Sequence, residues 1–449
     1  MEVEGLGRRC LKIARLALPV TVAQMGMIVV SFADNIMVGR YSVESLAASS
    51  FVANMFNVVI LGIIGFSYGL TPLVGALWGS GRVKDIGFTL RAGLIANIAV
   101  SVFASLIMAG LYMCVGYMDQ PEELLPLIRP FFLIYLATLL PISVFNTFAQ
   151  WSYAIRNTAM PMWILLGCNV LNIIGNYALI YGHFGAPELG LVGAGLSTLA
   201  SRVIGMVAII AAFGLNKQYR EMRRSLSHGR MPRGTMGKVV RTSWPVALQM
   251  SFETGAFSGC AVIAGWIGTI SLAAFQVILI VGTLGFCIYY SVGTAISVLT
   301  ANEIGRGATV SECRRPAFDG YLVTIVCMIF SSTIFVVWLR PLVDLFTEDA
   351  EMAALAVSLL VPLVLYQLGD ATQITFANAL RGTSRVMPML WISLVCYVIV
   401  GLPCSWMLAI PAGLGLWGIE LSFSISLFMA AGLYYIYFMR ATREIAKTF

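Results

Sequence analysis

Three acids stand where a chain can least accommodate them. Asp370 interrupts YQLGDATQITFANALRG (366–382), inside a run from Met352 to Leu380 with no other charge. Glu253 in SFETG and Asp34 in SFADNIM break equally apolar stretches, and Glu420 lies near the outer end of another. An ionised side chain at bilayer depth costs about 3 kcal/mol or more unless it is paired or hydrated. Tyr366 precedes Asp370 by four residues, one helical turn, so its hydroxyl shares the acid's face. Two carboxylates and a phenol oxygen at a common depth can hold Na⁺ through hard oxygen ligands, or share a proton.

Depth follows from the helical rise. Asp370 is eleven residues from Arg381 and Glu253 twelve from Arg241. Both acids then lie roughly 16–18 Å from a cytoplasmic charge layer, near the midplane. A second polar group belongs nearer the outer face. Asp34 is six residues before Arg40, and NVLNIIGNYALIYG (169–182) puts Asn172 and Asn176 on one face, with Thr198 at a similar level. Together they could form a cation or proton site. The structural alternative is interhelical hydrogen bonding, or pairing of the acids with Arg202, the one Arg left inside a helix. One guanidinium against three acids leaves two uncompensated.

The elements that carry these residues must be membrane helices. The 449 residues are 59% hydrophobic and 11% charged, with a mean hydropathy of +0.88, whereas soluble domains carry about 25% charged residues. Twelve apolar runs are long enough to span: about 13–38, 46–77, 88–114, 126–152, 161–182, 190–214, 240–266, 271–300, 317–339, 353–380, 388–410 and 414–438. Lipid admits only helices or closed barrels, and these runs predict helices. With both termini inside, the inner segments hold all of the 28 Lys and Arg except Arg40, Arg129, Arg340 and the intrahelical Arg202. The acidic segments MDQPEELL and VDLFTEDAEM then fall outside. This bias predicts cytoplasmic termini in a cell inner membrane. The basic loop NKQYREMRRSLSHGRMPRGTMGK fits a topology determinant and a lipid-headgroup contact rather than a nucleic-acid site.

The two halves repeat. LPVTVAQM (18–25) resembles WPVALQMS (244–251), SLAA recurs at 45–48 and 271–274, and GLVGAGLS (190–197) resembles GLWGIELS (415–422). All keep a spacing of 225 or 226 residues. Six helices per half give parallel repeats related by an axis along the membrane normal. The expected organisation is an N-lobe over 1–214, a cytoplasmic linker over 215–238 and a C-lobe over 239–449, around a central cavity. At these spacings Asp34 aligns with Cys260, Glu253 with Met27 and Asp370 with Phe145, so the frame repeats while the acids do not. Intramembrane catalysis finds no support. HExxH is absent, the two His (His183 and His228) fall in loops on opposite sides, and the nine Cys form no CxxC. No cofactor is expected.

DNIMVGRYSVESLAASS, FET (252–254), YQLGDATQITFANALRG and NVLNIIGNYALIYG together resemble multidrug and toxic compound extrusion (MATE) transporters, in particular their NorM-like branch. The resemblance covers essentially the whole chain. It implies antiport of lipophilic organic cations and drugs against Na⁺ or H⁺, by a protein working as a monomer. It also implies a C-lobe cation site of Glu253, Tyr366 and Asp370, which would be the Na⁺ ligands under sodium coupling, and an N-lobe site of Asp34, Asn172, Asn176 and Thr198. Some relatives carry a second acid where this chain has Asn176. The alternative is a flippase for lipid-linked or other amphipathic substrates, which calls for a basic rather than an acidic cavity.

Overall fold

A computed structural model describes residues 5–117, 121–344 and 349–446. Asp119 and Glu348, two of the acids expected in outer loops, lie outside the described residues. Every regular element among the described residues is helical. Eleven helices are long and apolar enough to cross a bilayer, and a bent pair supplies a twelfth. Their outward faces stay greasy: Phe103 and Leu106 are 66% and 67% exposed, and Phe330 and Val337 66% and 63%. Such faces are stable only against hydrocarbon. This is a multi-pass membrane protein.

Several expected spans are not simple rods. The run 46–77 becomes α2 (Val43–Tyr68) and α3 (Leu70–Gly79). They part at Gly69, where a Cβ would sit 2.4 Å from the Ser243 Cα. The run 353–380 becomes α12 (Ala350–Ser358) and α13 (Leu360–Gly382), bent by 47°. Pro362 accounts for the bend, because it has no N–H to offer the Ser358 carbonyl four residues back. The run 388–410 starts as α14 (Met387–Ser393), widens into a π-helical stretch over Leu394–Gly401 and ends as α15 (Leu402–Ala409).

The chain forms two compact units. An N unit comprises Val22–Val74 and Gly81–Ala247; a C unit comprises Met1–Thr21, Gly75–Ser80 and Leu248–Phe449. Three helices are therefore divided: α1 (Leu6–Tyr41), α3 between Val74 and Gly75, and α9 (Thr235–Ile267). Of these, α1 and α9 change unit two residues beyond a repeat-related proline, Pro19 in α1 and Pro245 in α9. In the C unit the first of these helices is tied down by Arg9, which donates from Nε to Asp319 Oδ2 at 2.7 Å and from Nη2 to Oδ1 at 3.3 Å.

The N unit also contains α4 (Val83–Cys114), α5 (Leu125–Ala154), α6 (Ala159–Tyr181) and α7 (Gly190–Leu215). Phe56, Ile63, Met108, Phe132 and Leu139 fill its core. The basic segment expected as a loop folds in part. A helix α8 (Arg220–Ser227) forms in it, with Met222 and Ser225 buried. Tyr219 packs on Trp151 at 4.8 Å and accepts a 2.9 Å hydrogen bond from Asn157. Tyr219, Met222 and Ser225 recur every third residue, which gives the segment an inward stripe and leaves its Arg residues outward. The C unit adds α10 (Thr269–Gly305), α11 (Val310–Asp344) and α16 (Leu416–Ala446).

Candidate functional site

In the N unit the four expected residues form one hydrogen-bonded chain. Asn176 Nδ2 donates to Asp34 Oδ1 at 2.5 Å and lies 3.4 Å from Asn172 Oδ1, and Asn172 Nδ2 donates to Thr198 Oγ1 at 3.3 Å. Close approach of α6 and α7 makes this contact. A Cβ on Gly175 would meet Ser197 Oγ at 2.5 Å, and one on Gly193 would meet the Leu179 carbonyl oxygen at 2.4 Å. Only small residues allow helices so near each other. The Ser197 hydroxyl completes the seam by donating to the Asn172 carbonyl at 2.8 Å.

This chain borders a cavity of about 680 Å³, onto which Asp34, Asn172 and Thr198 open. Arg202 lines the same space, donating to Thr138 Oγ1 at 2.6 Å with its guanidinium 5.4 Å from the centre of the Tyr135 ring. It lies within electrostatic range of Asp34. The cavity therefore presents one carboxylate and one guanidinium, with amides such as Asn35, Asn54, Asn57 and Asn169 around them. Its polar groups are numerous and its formal charges cancel.

The C unit gathers its acids differently. Asp370 is 2% and Tyr366 8% exposed, while Glu253 is half-buried. Asp370 lies within electrostatic range of Glu253, and Tyr366 within range of Asp370, Glu253 and Glu420. Asp370 Oδ2 has no hydrogen-bond partner among the described residues. Buried polar atoms are nearly always satisfied, so an unpartnered carboxylate oxygen within electrostatic range of a second acid is chemically able to take up a cation or a proton. The ring of Tyr366 is fixed edge-on to Phe257 and Phe423, at 6.4 and 6.2 Å.

Arg381 is not the exposed charge expected of it. It was the marker for the charged membrane surface, yet it is 4% exposed and lies inside the C unit. Its Nη1 donates to Asn378 Oδ1 at 3.0 Å and its Nη2 to Gln249 Oε1 at 3.4 Å. Gln249 Nε2 donates in turn to Glu253 Oε2 at 3.4 Å, and Arg381 is within electrostatic range of Glu253. Arg202 is thus not the one guanidinium held within the helices. Gln249 was findable, being one turn before Glu253. Tyr397 and Tyr434, also within electrostatic range of Glu253, had no signal, since tyrosines in apolar runs are common.

No group of three or more His, Cys, Asp and Glu suited to a metal ion occurs among the described residues.

Comparison with known proteins agrees with this architecture. A family model described as MatE matches residues 19–178 and 245–407. An outward-facing multidrug resistance MATE family transporter of the MOP superfamily superposes with a TM-score of 0.89 at 18% identity, covering 98% of this chain and 97% of that one. The eukaryotic MATE transporter AtDTX14 gives 0.87 at 18% identity, with 99% and 100% covered. A MOP superfamily transporter from Pyrococcus furiosus, described as having a binding pocket of reverse polarity, gives 0.86 at 18% identity over 97% and 96%. Identities this low speak for the fold alone, but the family model matches both repeats and most of the chain, and this protein belongs to the MATE family of membrane transporters.

Proposed function

We propose that this transporter is a secondary active antiporter, exporting lipophilic organic cations and drugs in exchange for Na⁺ or H⁺ by alternating access of its two lobes. The observation that carries the reading is Asp370: 2% exposed, with Oδ2 unpartnered and a second acid, Glu253, within electrostatic range. Two anions in a low-dielectric interior repel each other, and one positive charge relieves them. An organic cation taken up from the cytosol or inner leaflet meets that need on one side, and Na⁺ or H⁺ meets it on the other. The arriving cation removes the attraction that holds the drug. Exchange then follows if cation and drug favour different lobe arrangements, because a ligand with equal affinity for both shifts nothing.

Glu253, Tyr366 and Asp370 form the coupling site in this scheme, with Arg381 and Gln249 holding Glu253 in place. Asp34, Asn172, Asn176 and Thr198 form the N-lobe site. The protein would work as a monomer in the cell inner membrane with both termini cytoplasmic, in line with the placement of its Lys and Arg. The flippase alternative draws no support from the N-unit cavity, where Arg202 is offset by Asp34. Efflux from proteoliposomes under separately imposed Na⁺ and pH gradients tests the proposal. One gradient should drive accumulation of an organic cation such as ethidium, and efflux indifferent to both overturns it.

A further inference from the structure

One buried acid has no part in that scheme. Glu420, in the second turn of α16, is 2% exposed, and its Oε1 has no hydrogen-bond partner among the described residues. Cys260, within electrostatic range of Glu420, starts a line of small polar side chains from three helices. Cys260 Sγ of α9 is 3.3 Å from Ser405 Oγ of α15, Ser405 pairs with Ser422 of α16, and Ser422 donates to the Ile419 carbonyl at 3.0 Å. Cys260 on α9 and Tyr366 on α13 are titratable groups within electrostatic range of Glu420. Tyr366 is also within electrostatic range of Asp370, so it senses both carboxylates.

Helix register gives the order of these groups. Helices α13 and α16 are the tenth and twelfth spans, two apart in an alternating bundle, and so run in the same direction. The contacts Tyr366–Phe423, Gly369–Leu427 and Phe376–Tyr435 hold a steady offset of 57 to 59 residues. Glu420 is accordingly level with Leu363, about 4.5 Å from Tyr366 and about 10.5 Å from Asp370 along the axis, toward the helix starts. The repeat adds a second observation. Cys260 is the counterpart of Asp34 and Phe423 that of Thr198 at spacings of 226 and 225, so this cluster occupies the C unit's equivalent of the N-unit site. The carboxylate has moved from the first helix of the repeat to the last.

We propose that Glu420, with the hydroxyls of Ser405, Ser422 and Tyr366, is an outer way-station that receives the coupling cation before it reaches Asp370 and Glu253. The ligand is a hard monovalent cation, H⁺ or Na⁺. A proton is carried by relay: the O–H bond at Glu420 breaks as one forms on the Tyr366 hydroxyl, whose own proton passes on to Asp370, so that one O–H bond is lost and one gained overall. Na⁺ passes between carboxylate and hydroxyl oxygens without a covalent step. This proposal rests on the antiport reading above and adds the route to it.

The test compares wild type, Glu420→Gln and Glu420→Asp in proteoliposomes, varying external Na⁺ and external pH in separate series. In Glu420→Gln the concentration of the driving cation needed for half-maximal efflux should rise about tenfold, with equilibrium drug binding unchanged, and Glu420→Asp should restore most of the loss. A wild-type protein driven by neither gradient overturns the antiport reading. A Glu420→Gln profile that matches wild type under the gradient wild type uses overturns the way-station alone. Should Glu420→Gln misfold, wild-type protein gives the answer through modification by a hydrophobic carbodiimide, which attacks protonated carboxyls, with the Glu420 adduct read by mass spectrometry. Protection by Na⁺ or promotion by acid supports the proposal, and labelling indifferent to both overturns it.

Discussion

The two units answer the same problem, polar chemistry among apolar helices, in opposite ways. In the N unit one acid is spread into amides: Asp34 accepts from Asn176, Asn176 lies against Asn172, and Arg202 faces the same cavity. In the C unit the acids Glu253, Asp370 and Glu420 gather around Tyr366, and Arg381 is held on the Glu253 side by Gln249 and Asn378. A cavity whose charges cancel suits binding by shape and hydrogen bonds. A cluster with surplus negative charge responds to the arrival of a single cation. Under the antiport proposal this difference would divide the work, with cargo accommodated mainly by the first unit and the gradient felt mainly by the second.

The sharpest way to break that division is Asp370→Asn. It should lower gradient-driven efflux by about two orders of magnitude while leaving drug binding measurable, since the ion's preference between lobe states is lost. Efflux at the normal rate would end the C unit's role. Gly193→Ala attacks the N unit through packing: a Cβ 2.4 Å from the Leu179 carbonyl has nowhere to go. It should destabilise the protein by about 2 kcal/mol, seen as a lower melting temperature in detergent, and weaken drug binding with it. An unaltered melting temperature would show that α6 and α7 can part freely. Asp34→Asn should weaken binding of a monocationic drug about tenfold, roughly 1.4 kcal/mol, while the driving-cation dependence stays as in wild type. A changed cation dependence would merge the two roles. Arg202→Gln, the mildest, should tighten a monocation about threefold by removing an opposing charge, an effect that fades at high salt. Weaker binding instead would mean that Arg202 shapes the cavity through Thr138 and Tyr135 more than it opposes cations.

Much of this was legible in the chain because lipid enforces it. Twelve apolar runs could be little else than helices, and the pairs Asn172/Asn176 and Tyr366/Asp370 declare shared faces by their spacing. What the chain hid lies between helices. Arg381 sits at the end of its apolar run just where a surface charge would, and hydropathy cannot tell a side chain in the headgroups from one folded back onto Gln249. The bend ahead of Pro362 left the run's composition untouched, so 353–380 looked continuous. Helix α8 was masked by the very Arg residues that suggested a loop, although the stripe of Tyr219, Met222 and Ser225 was there to be read. Glu420 could be seen but not interpreted, since its companions Cys260 and Ser405 are 160 and 15 residues away in sequence.

The widened stretch over Leu394–Gly401 has a mechanical consequence. The N–H of Leu402 reaches back five residues to the Tyr397 carbonyl, where an ordinary turn would reach back four. Tyr397 is itself 2% exposed and within electrostatic range of Glu253 and Asp370. Such π turns are rare and tend to occur at working parts of proteins. Moving one residue into or out of the wide turn rotates everything downstream by about 100°, as a screw thread does. A change of turn within Leu394–Gly401 would therefore reach Leu402–Ala409 as a twist with a small axial step of about 1.5 Å.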